Sequence, residues 1–116
     1  MPYFFCRLVP PRPDFAMTMT EGELAVMGSH AAYLKGFGAQ GKAVVYGPVL
    51  DPAGPWGLAV FAVAGEAELA GILDNDPAIR SGAGFRYEVL PMMQAVLGER
   101  PEPPAAFAGM EVAPTH

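Results

Sequence analysis

Charge is scarce in this sequence: only 16% of its 116 residues are Asp, Glu, Lys or Arg, and seven of them are basic. The basic residues stand singly, so no positive stripe can neutralise phosphates, and a formal net charge of −5 argues against nucleic acid or an anionic membrane as partner. Cysteine is almost absent. The single Cys6 excludes an intrachain disulfide, and its place in an apolar run suits a packed thiol better than a reactive one. Two histidines, His30 and His116, are too few for a histidine-rich metal centre in one subunit, so no metal and no other cofactor is expected. No apolar run approaches the roughly 20 residues that span a bilayer. The opening Met-Pro-Tyr-Phe-Phe-Cys-Arg lacks the basic region and small-residue cleavage site of a secretory signal, and the expected location is the cytoplasm. Missing too are a glycine-rich phosphate loop between strand and helix, and a Ser or Cys in a nucleophile's setting.

What is abundant is apolar surface, at 52% of residues. A chain of this length fits one domain around one core, and the apolar excess points to a partner surface. Residues 3–9 form an aromatic and β-branched run between prolines and read as a strand. The proline-rich residues 10–19 cannot continue a sheet, so a loop long enough to act as a lid is expected there. Thr20-Glu21-Gly22-Glu23 has the form of a capping box and starts a helix that runs to about Gln40, with Gly41 as its left-handed stop. Residues 42–49 read as a second strand. The turn Asp51-Pro52-Ala53-Gly54-Pro55 joins it to a third over 57–63. Residues 66–75 form a short helix stopped by Asp76-Pro77, and the alternation of Phe85-Arg86-Tyr87-Glu88-Val89 marks a fourth strand.

At about 100° per residue, Leu24, Met27, Ala31, Leu34 and Gly38 form one stripe of the long helix, and Val26, His30, Tyr33 and Phe37 a second beside it. A helix lying on a sheet needs only one of them. The expectation is that the first packs on the sheet and the second, with His30, faces a cavity, the lid or a partner chain.

Two β-α-β halves joined by a hairpin predict an α+β domain over residues 1–98. It is a ferredoxin-like βαββαβ fold with a four-stranded antiparallel sheet and both helices on one face. Residues 99–116, rich in Pro and Ala without periodicity, read as an extended or disordered tail. If Tyr3, Phe5, Val45 and Phe61 lie on the open face, water contact there is unfavourable and a homodimer with facing sheets is expected.

Four segments between Tyr3 and Met92 resemble the YciI-related (YCII-related) family. They are His30-Ala31-Ala32-Tyr33-Leu34; Gly47-Pro48-Val49-Leu50-Asp51-Pro52 with Gly54 and Gly57; Asp74-Asn75-Asp76-Pro77; and Tyr87-Glu88-Val89-Leu90-Pro91. The resemblance implies a dimeric α+β barrel of ferredoxin-like subunits and a helix histidine, matched by His30, paired with an acid in a pocket. Some relatives carry that acid near the end of the helix. Here Ala39-Gln40 stands in its place, leaving Asp76 or Asp51 as companion. Related barrels isomerise small cyclic compounds or eliminate from them, which enters as analogy.

His30 is the candidate general acid or base, since imidazole moves protons near neutral pH without a metal; the alternative is a satisfied, partly buried histidine. Asp76 is the candidate orienting acid, or else a turn residue capping the backbone that follows it. Arg7 and Arg86 fall on neighbouring strands, where either could reach the open face of the sheet and hold a small anionic or cyclic metabolite, with Asp51 and Tyr33 as further binding residues, or could instead be salt-bridged to Glu88. Trp56, Met17 and Met19 line the pocket or merely pack. Two functions therefore stand open: a cofactor-free lyase or isomerase, and a non-catalytic small-molecule-binding or protein-interaction domain.

Overall fold

The computed structural model describes residues 1–99. Its order is β1 (Tyr3–Val9), α1 (Phe15–Thr18), α2 (Glu21–Ala39), β2 (Ala43–Val49), β3 (Trp56–Ala62), α3 (Glu66–Asp74), α4 (Pro77–Arg80) and β4 (Arg86–Pro91). The strands form one antiparallel sheet in the order β2-β3-β1-β4, the ferredoxin-like arrangement the sequence predicts. The tail expected from residue 99, with His116, lies beyond Glu99 outside the described residues.

The alternation of β1 sets the two faces of the sheet. Phe4, Cys6 and Leu8 are buried while Tyr3, Phe5, Arg7 and Val9 are half-buried on the other side. Phe4 pairs with Phe61 and Cys6 with Ala59, so these side chains share the helix-covered face with Leu34 of α2 and Leu69, Ile72 and Leu73 of α3. Phe61 is thus a core residue, 0% exposed, and not part of the open face as the sequence reading has it. Its register partner decides this. Val60, opposite Phe5 and Val45, takes its place, and Val45 is 49% exposed. Burial pushes the Cys6 thiol up to about 12, which keeps it an inert, protonated packing group.

The helix boundaries follow their caps. Thr20 and Glu23 form the expected capping box, with Thr20 Oγ1 accepting from the Glu23 amide and Glu23 returning the bond to the Thr20 amide. Two short helices depart from expectation. The 10–19 segment contains α1, because Phe15 is buried edge-on against Phe85 at 5.1 Å, while Arg12 donates to Thr18 and, through both terminal nitrogens, to Glu23. Pro77 does not merely stop α3. It opens α4 at the first helical position, where its missing N–H costs nothing, and Asp76 caps that helix. The fourth strand likewise runs Arg86–Pro91, one residue later at its start than the alternation suggests.

The stripes of α2 share both roles: Leu34 of the first is buried in the main core and His30 of the second lines a cavity, as expected, but neither stripe is confined to one role. Tyr33 and Phe37 pack against the main core and Val26 against a second cluster of Leu8, Phe15, Ala78 and Phe85, so the second stripe is largely packing. From the first stripe, Leu24 is 62% exposed, while Met27, Ala31 and Leu34 border a cavity. Tyr33 fixes the arrangement by donating its hydroxyl to the Ile72 carbonyl at 2.7 Å, a bond between α2 and α3.

Candidate active site

His30 comes from the middle of α2 and Asp76 from the junction of α3 and α4, and the packing of α2 on α4 brings them together. His30 Nδ1 lies 2.8 Å from Asp76 Oδ2 and 3.0 Å from Oδ1. The carboxylate is 0% exposed and fully engaged. Oδ1 also accepts from the Ala78 amide at 2.9 Å, the helix cap, and Oδ2 accepts from the Tyr87 hydroxyl at 2.6 Å. The capping and histidine-binding roles of Asp76, alternatives in the sequence, coexist because one carboxylate offers enough lone pairs for both.

Burial alone pushes the Asp76 carboxyl up. The hydrogen bonds from His30, Tyr87 and Ala78, with the charge His30 carries when protonated, outweigh burial and hold it below the ordinary carboxylate range. Asp76 is therefore ionised at neutral pH. Burial and the neighbouring carboxylate push the Tyr87 hydroxyl upward, so it stays a donor. An ionised Asp76 can only accept, which makes His30 Nδ1 the donor and leaves the lone pair of a neutral ring on Nε2. Nε2 has no protein partner among the described residues, and no buried side-chain nitrogen or oxygen there is unpaired, so Nε2 is accessible. The side chain is 14% exposed.

His30 borders a cavity of about 490 Å³ between α2 and the sheet. Its walls are Met27, Ala31 and Leu34 of α2, Phe15 and Ala16 of α1, Met19, and the strand ends around Tyr46 and Trp56. Thus α1, in the segment expected as a lid, forms one wall, and Met19 and Trp56 are lining residues while Met17 is exposed. Among the described residues no three His, Cys, Asp or Glu side chains converge as a metal site would need, and no helix is long and apolar enough to cross a membrane.

The family model of the YCII-related domain matches residues 3–93. The chain belongs to the YCII-related domain family. A comparison with curated proteins finds no match. Among solved structures, this YCII-related domain is similar to 5-chloro-2-hydroxyhydroquinone dehydrochlorinase (TftG) from Burkholderia phenoliruptrix AC1100, in complex with 2,5-dihydroxybenzoquinone. The identity is 21% and the TM-score 0.51, over 73% of this chain and 90% of that one. At that identity the likeness bears on fold alone, and it agrees with the α+β fold described above.

The other site residues expected from the YCII-related sequence lie elsewhere. Arg7 and Arg86 project from the opposite face of the sheet, as the pairing of Arg7 with Glu88 and of Val9 with Arg86 requires. There Arg86 hydrogen-bonds Glu88 at 3.0 Å, and Arg7 stacks 4.2 Å over the Trp56 ring, 3.7 Å from Asp51 and 3.8 Å from Glu88. Asp51 accepts from the Trp56 indole and the Ala53 amide, bonds that hold its carboxyl below the ordinary range. These groups border a separate cleft of about 400 Å³, and Tyr33 is occupied between helices. The residue missed in the sequence is Tyr87. Its alternation with Arg86 and Glu88 puts a phenol on the buried face, where a hydroxyl needs a partner.

Tyr87→Phe removes the donor to Asp76 Oδ2 while keeping the ring. The expected loss is about 1.5–3 kcal/mol, the range for a hydrogen bond to a charged group. The depression of the Asp76 carboxyl should shrink with it. A depressed carboxyl contributes stability above the ordinary carboxylate range that is lost as pH falls through it, so the variant should lose less than wild type between pH 7 and pH 3. Urea unfolding at both pH values measures both effects.

Proposed function

We propose that this chain is a cofactor-free enzyme of lyase or isomerase type that works on a small molecule in the His30 cavity, as a homodimer in the cytoplasm. The observation that carries the reading is a histidine lining an apolar cavity, with an accessible Nε2 and with Nδ1 bound by a buried, ionised carboxylate. His30 takes a proton from substrate carbon or oxygen, Asp76 stabilises the resulting imidazolium, and the proton returns to another atom or to a leaving group. Tyr87 and the Ala78 amide are positioning groups acting through Asp76.

The family and the fold support this choice of chemistry. TftG is by name a dehydrochlorinase, an enzyme that removes the elements of HCl, and its bound ligand is a quinone. The half-exposed Val45 and the row Tyr3, Phe5 and Val60 on the open face support the homodimer, and a lone buried cysteine suits a reducing compartment.

Proton abstraction can be tested before the substrate is known. Small cyclic ketones incubated with the protein in D2O should exchange their α-protons above the buffer rate, and His30→Gln should remove the excess, as followed by proton NMR. Exchange that is the same in both proteins overturns the reading.

A further inference from the structure

Nearly every side chain around the His30 cavity is uncharged and apolar. No Lys, Arg, Asp or Glu lines it, and besides His30 its polar side chains are Tyr46 and Trp56, the latter with its indole N–H bound to Asp51. The charge standing behind His30 is that of Asp76, and it is negative. Arg7 and Arg86 face the separate cleft across the sheet. A carboxylate entering the cavity would shed water, meet no cation and approach an existing anion. An apolar ring would meet Met19, Met27 and Leu34, and about 490 Å³ is ample for one.

Tyr46 adds a polar end. Its ring lies against Gly38 so closely that a Cβ there would come within 2.9 Å of Cε1, and the glycine is what admits it. The Tyr46 hydroxyl has no protein partner among the described residues. Tyr46 and His30 both line the cavity, and Gly38, against which Tyr46 packs, stands eight positions, roughly 12 Å of helix, beyond His30 along α2.

We infer that the His30 cavity binds uncharged cyclic compounds bearing a carbonyl or hydroxyl oxygen and rejects their carboxylate counterparts. This names the substrate class of the site proposed above and rests on that reading for its catalytic meaning, though not for binding. The anionic ligand expected from Arg7 and Arg86 is not the occupant of this cavity.

Trp56 is the only tryptophan and stands in the cavity wall, so its fluorescence reports occupancy. The full chain is titrated at pH 8 with cyclohexanone and, separately, with cyclohexanecarboxylate, alongside Ala31→Phe. Ala31 is an exposed position of α2 that borders the cavity, so phenylalanine there fills the space without entering the core. The expected result is saturable binding of cyclohexanone, at least about tenfold tighter than the carboxylate, and lost in Ala31→Phe. Equal or tighter carboxylate binding overturns the inference, as does a cyclohexanone signal that survives Ala31→Phe, since Trp56 also borders the Arg7 cleft. Absence of saturable cyclohexanone binding overturns it too. If cyclohexanone binds as expected but no ketone exchanges protons, the catalytic reading fails and the ligand class stands.

Discussion

His30→Gln is expected to lower turnover by about 10²–10⁴-fold, the usual contribution of a positioned general acid or base. The argument rests on what glutamine keeps and loses. Its amide can still donate to the buried carboxylate of Asp76, so the ion is not left without a partner. It cannot exchange a proton near neutral pH. Every other wall of the cavity is unchanged and glutamine is close to histidine in size, so kcat should carry most of the loss and KM should move less. The measurement is steady-state kinetics on whichever cyclic compound shows His30-dependent exchange. A variant with wild-type kcat would show that the ring is only part of the wall.

Asp76→Ala is expected to cost about 3–5 kcal/mol, because it strips partners from the Tyr87 hydroxyl, the Ala78 amide and His30 Nδ1 together. That is a large share of the 5–15 kcal/mol typical of a whole domain, so Asp76→Asn, which keeps an oxygen acceptor, is the companion variant. The pH dependence separates a charge effect from simple packing. The folded carboxyl sits below its ordinary value near 3.9, so its contribution is present at neutral pH and is lost as pH falls through that range and lower. Asp76→Asn cannot titrate there, and its stability should fall less between pH 7 and pH 3 than that of wild type, as read by urea unfolding. An equal fall in both proteins would remove Asp76 as an ionised member of the site.

Much of the fold was legible because its signals are local. The capping box at Thr20, the left-handed Gly41 and the turn around Gly54 each follow from the conformational preference of a few residues. Gly54 also shows what sequence omits: a Cβ there would sit 2.8 Å from the Pro13 carbonyl, a contact between distant segments. The open face was misread at Phe61 for the same reason. Alternation assigns odd and even positions to opposite faces of one strand, and only the pairing of Phe61 with Phe4 says which face is which.

The site was half legible. His30 and Asp76 stand out by residue type and by family resemblance, but their contact spans 46 positions and depends on how α2 packs on α4. Helical periodicity found both stripes of α2 and placed His30 at a cavity, but it could not show that Met27, Ala31 and Leu34 of the other stripe border the same cavity while Tyr33 and Phe37 pack on the core. Arg7 and Arg86 were correctly placed on adjacent strands. They lie on the open face, as their alternation with Cys6 and Tyr87 leads one to expect, and what the sequence does not reveal is that the His30 cavity lies on the other face.

The tautomer of His30 tests the account most directly. With only two histidines in the chain, His30→Gln assigns the signals, and nitrogen-15 NMR of the imidazole at high pH distinguishes a protonated ring nitrogen from an unprotonated one. The account predicts a proton on Nδ1, held by Asp76, and an unprotonated Nε2 at the cavity, with that preference lost in Asp76→Asn. A neutral ring carrying its proton on Nε2, or one whose tautomer ignores Asp76, would contradict it.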